Sequence, residues 1–207
     1  MRPPSNSWNS SRQILGIARA SYEVSDLNRE MELLPELCSL ITRHAGRGRI
    51  ATARTSIPGL KVVASSVTTE PINHVYEPLF GLVVQGAKRI LLGDRMLDYG
   101  AGQYLVVSVD LPITSHIDVA SAEEPFLSIG LMLKPAAIST LLLDAATNDR
   151  AAVVPSGIGV SEAPVELLEA VVRLLRLLDH PRDISGAVQG ALSPLQVRYL
   201  HNRVDML

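Results

Sequence analysis

The feature of the sequence that most restricts its fold is a series of short apolar runs between about Gly59 and Leu133. Each run is rich in Val, Ile, Leu or Tyr and is closed by Gly, Pro or Asp. The seven runs are Leu60–Val67, Leu79–Val84, Lys88–Leu92, Arg95–Tyr99, Tyr104–Val109, His116–Val119 and Phe126–Leu133. Strand-length runs at this spacing predict an all-β sandwich or barrel. Gly93-Asp94, between the third and fourth runs, predicts a two-residue hairpin turn because glycine accepts a positive φ.

A short helix is predicted before the β region, from Leu33 to His44. Its apolar side chains fall on one helical stripe, formed by Leu34, Leu37, Cys38 and Ile41. Pro35 suits the first turn of such a helix, where its missing N–H costs nothing. Gly46 suits a left-handed C-cap. Residues 1–30 precede this helix and are predicted to form a flexible tail.

Two helices are predicted after the β region, at about residues 135–146 and 164–179. The second has an apolar seam with a heptad-like rhythm, formed by Leu168, Val171, Leu175 and Leu178. The opposite side is polar, with Glu166, Glu169, Arg173 and Arg176. This seam is a candidate dimer interface. The same seam also suits packing on the β domain of its own chain, and the sequence leaves both alternatives open.

Charge and hydropathy exclude several classes of protein. The formal net charge is −2, whereas a fold whose main work is to grip phosphates usually has an excess of Lys and Arg. No stretch approaches the roughly 18 consecutive apolar residues of a membrane span, and the polar N-terminus lacks the apolar core of a signal peptide. We therefore expect a cytoplasmic protein without a membrane partner. Cys38 is the single cysteine and is interpreted as a small hydrophobe.

A resemblance to a known family rests on several motifs in order. They are Ile57-Pro58-Gly59-Leu60, Tyr76-Glu77-Pro78, Val84-Gln85-Gly86-Ala87-Lys88-Arg89, Leu92-Gly93-Asp94 and the run from Tyr99 to Pro112. Together these resemble the N-terminal domain of AraC-type transcription regulators, over about residues 33–184. The resemblance implies an α+β fold: a cupin-like antiparallel β-barrel or sandwich, with an N-terminal helix and two C-terminal helices. It also implies sensing of a small effector, dimerisation through helices, and a following helix-turn-helix DNA-binding domain.

The chain departs from the family pattern near its end. It stops at Leu207, where a family member would enter its DNA-binding half. We therefore expect a regulatory domain over residues 31–184, a divergent tail over residues 185–207, and no direct DNA binding by the chain as given. A homodimer, or a heterodimer with full-length relatives, is the expected assembly. A non-functional remnant of a regulator gene is an alternative.

The histidines of the β region do not predict a metal site. Cupin-like metal centres often use a His-x-His pair with a Glu and a third His, whereas this region contains only His74 and His116. Two isolated histidines fall short of a catalytic metal site, so no metal and no cofactor are expected. His74 is interpreted as a surface loop residue. His116 opens a predicted strand and is expected to be able to point into the barrel. A small cupin-like enzyme remains the rival class, and metal content would distinguish it.

Five residues with apolar bodies and polar tips suit a small-molecule pocket. They are Tyr76, Gln85, Lys88, Tyr99 and Tyr104. The candidates for effector contact are Tyr76, Gln85, Lys88, Tyr104 and His116. Tyrosine is also ordinary on a strand, and Gln85-Gly86 also suits a turn. The sequence identifies no catalytic residue, so the leading hypothesis is an effector-sensing, dimerising domain that is not an enzyme.

Overall fold

The computed structural model describes residues 27–133 and 157–181. Residues 27–44 form helix α1, and a second helix, α2, spans Val165–Arg176 and continues into a 3₁₀ turn at Leu177–Asp179. Among the described residues, ten strands lie between the helices. They are β1 Ile50–Arg54, β2 Leu60–Ser65, β3 Ile72–Tyr76, β4 Leu79–Gln85, β5 Ala87–Leu92, β6 Arg95–Gly100, β7 Gln103–Val107, β8 Leu111–Val119, β9 Phe126–Met132 and β10 Ile158–Glu162.

The strands form two sheets. The larger sheet has the order β1-β2-β9-β4-β7-β10, and the smaller has the order β3-β8-β5-β6. Every neighbouring pair is antiparallel. This antiparallel sandwich with an N-terminal and a C-terminal helix confirms the α+β, cupin-like architecture expected from the sequence.

The core has two layers, one on each face of the six-stranded sheet. Because side chains alternate along a strand, Val83 of β4 and Leu105 of β7 point toward the four-stranded sheet, where they pack with Ile90 and Ile117. The intervening residues of the same strands point the other way. That outer face is covered by α1 and α2 and forms the second apolar cluster. The six-stranded sheet is therefore buried on both sides.

The apolar seam of α2 lies in this second layer, so its assignment to a dimer interface is corrected. Leu168, Val171 and Leu175 have no exposed surface, and Leu178 is 7% exposed. All four belong to the cluster formed with the six-stranded sheet and α1. The seam therefore packs on the β domain of its own chain, which is the alternative that the sequence left open.

Helix α1 begins earlier than predicted, although it ends at His44 as expected. Residues 27–30, assigned to the flexible tail, are helical, and the Arg29 guanidinium contacts Glu169 of α2 at 3.1 Å. Pro35 consequently lies inside the helix rather than in its first turn. Gly46 does not have a positive φ, so the left-handed C-cap is wrong. The buried stripe also includes Leu33 and Leu40, because these side chains face the sheet.

The seven predicted strands are all present. Gly93, in the predicted hairpin turn between β5 and β6, has a positive φ of 56°, as expected. Strands β1, β3 and β10 were not predicted. Each is short and includes polar or exposed residues, so its alternation is weak. The predicted helix at 135–146, residues 1–26 and the 185–207 tail lie outside the described residues.

Candidate functional site

A polar cluster lies on the inner face of the four-stranded sheet, between the two sheets. His74 and Tyr76 are two positions apart on β3 and therefore share a face. His74 is paired with Ile113 of β8, and Ile113 belongs to the core between the sheets. Both β3 side chains therefore point inward.

Lys88 of β5 points to the same interior. Its register partners are Ile117 of β8 and Tyr99 of β6, both of which belong to the core between the sheets. Lys88 Nζ donates a hydrogen bond to Tyr76 Oη at 2.7 Å and lies 5.4 Å from the centroid of the Tyr76 ring. The ammonium group is therefore held by the hydroxyl of one tyrosine, in line with its C–O bond rather than over the ring face.

His74 joins this pair to the middle of β8. Its ring stacks on the Tyr76 ring with centroids 4.9 Å apart and an interplanar angle of 21°. His74 Nε2 lies 3.2 Å from the hydroxyl of Ser115, which is 3% exposed. Burial, followed by the positive charge of Lys88, lowers the pKa of His74. The neutral imidazole is therefore favoured in the folded chain.

Tyr99 extends the cluster toward the six-stranded sheet. It is 6% exposed, and burial raises its pKa well above the ordinary value, with a further contribution from Tyr76. Tyr99 therefore stays a neutral phenol with a hydroxyl proton to donate. A Cβ built on Gly81 of β4 would lie 3.9 Å from Tyr99 Oη, which places that hydroxyl close to the inner face of the opposite sheet.

One of two paired glycines leaves open space on that opposite face. Gly81 of β4 is the register partner of Gly130 of β9. A Cβ built on Gly130 would meet no atom of the described residues within 4 Å. Glycine within a strand often marks a place where a ligand or another backbone approaches closely. The space beside Gly130 therefore adjoins the polar cluster without being filled by a side chain.

Within residues 27–133 and 157–181, the charge of Lys88 has no acidic partner. No carboxylate among the described residues lies within ion-pair distance of Lys88 Nζ. Its chain neighbour Arg89 points to the outer face of the same sheet, where it contacts Asp98 at 2.6 Å and Asp118 at 3.6 Å. Arg89 is therefore paired with carboxylates, whereas Lys88 contacts a phenol.

Three of the five candidates lie away from this cluster. Tyr104 faces the helix layer, where its ring centroid is 5.5 Å from that of Phe80. Gln85 donates to the carbonyl of Pro125 at 2.9 Å and accepts from Cys38 Sγ at 3.6 Å. It borders an open depression of about 450 Å³ beside α1. The thiol there has a raised pKa because of burial.

His116 is the third of these, and its expected direction is corrected. It lies in the middle of β8 rather than at its start. Its chain neighbours Ser115 and Ile117 are buried on the inner face, so His116 points outward. There its Nε2 lies 3.6 Å from Asp118. Tyr76 and Lys88 are thus the two candidates for effector contact that the structure brings together.

Sequence reasoning missed His74, Ser115 and the paired glycines. The signal for His74 was the alternation Ile72-Asn73-His74-Val75-Tyr76, which places it on the face of Tyr76 if the segment is a strand. The pairing of Gly81 with Gly130 depends on the register of strands far apart in the sequence, and no local pattern indicates it.

No group of three or more His, Cys, Asp or Glu side chains is placed to hold a metal ion in residues 27–133 and 157–181. No helix in the same ranges is long and apolar enough to cross a bilayer.

Solved structures with a similar fold include AraC-like regulators and cupins. An apo variant of ToxT from Vibrio cholerae strain SCE256 is 9% identical with a TM-score of 0.46, over 74% of this chain and 61% of that one. The AraC-like activator CuxR is 11% identical with a TM-score of 0.36, over 76% and 52%. A cupin superfamily protein from Desulfitobacterium hafniense DCB-2 is 18% identical with a TM-score of 0.27, over 43% and 72%. Similarity at this level says nothing about ligand or activity.

The chain is thus shorter than the regulators that it resembles in structure, spanning 61% of the ToxT chain and 52% of the CuxR chain. No curated protein sequence matches it. The family model described as the AraC-type transcriptional regulator N-terminus matches residues 56–204, which is more than half of the chain. The chain therefore belongs to the family of AraC-type transcriptional regulator N-terminal domains.

Proposed function

We propose that this chain is the effector-sensing domain of an AraC-type regulator, and that a small-molecule effector binds between its two sheets. The observation that carries the proposal is the open space beside Gly130, which adjoins the cluster of His74, Tyr76, Lys88 and Tyr99. Small-molecule sites are typically apolar enclosures with a few converging polar groups. The apolar surroundings here are supplied by side chains of both sheets.

The same strands offer a route from the proposed site to the helix layer. In β4, Gly81 and Val83 face the polar cluster, whereas Phe80 and Leu82 are buried under the helices. Interiors are close-packed and transmit small displacements. An effector that moves β4 would therefore change the packing of α2, and we propose this as the first step of signalling.

Two expectations from the sequence stay predictions: that the chain dimerises, and that it does not bind DNA by itself. The first concerns the assembly, and the second concerns the whole regulator. A dimer interface formed by the α2 seam is no longer proposed, because those side chains are buried within one chain. We also propose a binding domain rather than an enzyme, because the family is one of transcription regulators.

A cavity-filling variant tests the location of the proposed site. Gly130→Leu places a side chain into the open space, and Thr52→Leu adds the same side chain to the exposed edge strand β1. The melting temperatures of the wild type and both variants would be measured with a panel of small acids, alcohols, amines and sugars. A ligand present at about 100 times its Kd stabilises the folded protein by about 2.7 kcal/mol, and this stabilisation raises the melting temperature measurably.

We expect at least one compound class to raise the Tm of the wild type and of Thr52→Leu but not that of Gly130→Leu. The proposal is wrong if no class stabilises the wild type. It is also wrong if Gly130→Leu, folded by circular dichroism, responds to the active compounds as the wild type does.

A further inference from the structure

We propose that the effector carries a carboxylate, which Lys88 and Tyr76 bind, and that its apolar part lies against the paired glycines Gly81 and Gly130. This inference rests on the proposed function, because it assigns a chemical class to the ligand of the same site.

The first support is the unmatched charge of Lys88. Its side chain is half-buried and points into an apolar interior, yet its polar contact is a neutral phenol rather than a carboxylate. Removing an ammonium from water without an opposite charge is costly. A bound anion would supply the missing charge, so this position favours an acidic ligand over a neutral or basic one.

The second support is the set of hydrogen-bond donors. An ammonium has three protons, and Lys88 gives one of them to Tyr76 Oη. Since Tyr76 accepts this bond, its own hydroxyl proton points elsewhere. Tyr99 is held as a neutral phenol in the same interior. A carboxylate is an acceptor with two oxygens, and it therefore matches a cluster whose polar tips are mainly donors.

The third support concerns the rest of the ligand. Beyond the polar tips the surroundings are apolar, with Val83, Ile90 and Leu105 buried in the same core. The space beside Gly130 is therefore suited to a hydrocarbon portion.

Paired probes isolate the contribution of the acid group. We would titrate linear monocarboxylic acids from butanoic to decanoic acid, each beside the primary alcohol of the same length, at neutral pH by calorimetry. Lys88→Met keeps an unbranched apolar stem and removes the charge. Arg173→Met removes a positive charge from the exposed side of α2, away from the two sheets' interior, and is the control. Tyr76→Phe keeps the ring and removes the hydroxyl.

We expect at least one acid to bind the wild type and Arg173→Met equally, and to bind more tightly than its alcohol. Charge-assisted hydrogen bonds are the strong ones, so Lys88→Met should weaken acid binding by about 10- to 100-fold. Tyr76→Phe should weaken it by a smaller factor and serves as the test if Lys88→Met does not fold.

The inference is overturned if no acid binds, if acids and alcohols bind equally, or if the folded Lys88→Met variant binds acids as the wild type does. A loss in Arg173→Met as large as that in Lys88→Met would show a general effect of charge and also overturns it. Failure of the proposed site is distinguishable, because binding would then be insensitive to Gly130→Leu.

Discussion

The ammonium of Lys88 and the hydroxyl of Tyr76 lie 2.7 Å apart, although the residues belong to strands β5 and β3, which do not pair with each other. Strand β8 lies between them in the sheet. Their contact therefore requires both side chains to turn toward each other across the inner face. This contact is the centre of the site, because His74 stacks on the tyrosine and both groups lie in the interior between the sheets.

The stability of the fold should fall in mildly acidic solution because of His74. Its pKa is lowered in the folded chain, by burial and then by Lys88, from an ordinary value of 6.5. The unfolded chain therefore binds a proton at a higher pH than the folded chain does. The contribution of the neutral imidazole is present above about pH 6.5 and is lost as the pH falls toward the folded pKa.

Urea unfolding of the wild type and His74→Gln at pH 7.5 and 5.5 measures this effect. The other groups that face His74 are Lys88, Tyr76 and Ser115, and both proteins retain them. The wild type should lose more stability between the two pH values than the variant does. An equal loss in both proteins would show that His74 does not have the expected lowered pKa.

The α2 seam should behave as domain core. Leu168 has no exposed surface, and truncating a buried leucine typically costs about 2–5 kcal/mol. We expect Leu168→Ala to lower the free energy of unfolding by that amount in a urea titration. Arg173→Ala, on the exposed side of the same helix, should change it by less than about 0.5 kcal/mol. Similar effects of the two substitutions would contradict the packing described here.

The turn between β4 and β5 requires a glycine more strictly than the next hairpin does. Gly86 has a φ of 78°, and a Cβ there would lie 2.4 Å from the carbonyl oxygen of Val119. Gly93 has a φ of 56° with no atom within 4 Å of the Cβ position. Gly93→Ala should therefore cost only the left-handed conformation, about 1–2 kcal/mol.

Gly86→Ala should cost clearly more than Gly93→Ala, because the backbone of β8 must also move. Thermal unfolding of the two variants side by side compares them. If Gly93→Ala were the less stable variant, the turn geometry at Gly86 would be wrong.

The sequence predicted the strands better than it predicted the site. Runs such as Leu79–Val84 are long and apolar enough to indicate a strand by themselves. Strand β3 contains Asn73 and His74 and lies at the edge of its sheet, so its pattern is weak, and His74 was interpreted as a loop residue. With that strand missing, the stacking of His74 on Tyr76 could not be foreseen.

The other differences between prediction and structure arise because the sequence does not show which face of an element packs on which neighbour. Tyr104 and Lys88 both lie on predicted strands. Strand β7, which contains Tyr104, has an apolar layer on each face, so its pattern does not show which face holds the proposed ligand site. The α2 seam posed the same problem. Amphipathic spacing shows that one side of a helix is buried, and it cannot distinguish its own sheet from a second copy of the chain.

The central claim, that an effector binds between the two sheets, is tested most directly by nuclear Overhauser effects to a bound probe. Protein with labelled Ile, Leu and Val methyl groups would be mixed with unlabelled octanoate. The account predicts contacts from the probe to methyl groups of Val83, Leu105 and Ile117 in the inner core, and none to Leu37 or Leu168 in the helix layer. Contacts confined to the helix layer, or to Leu127 beside the open depression at α1, would contradict it.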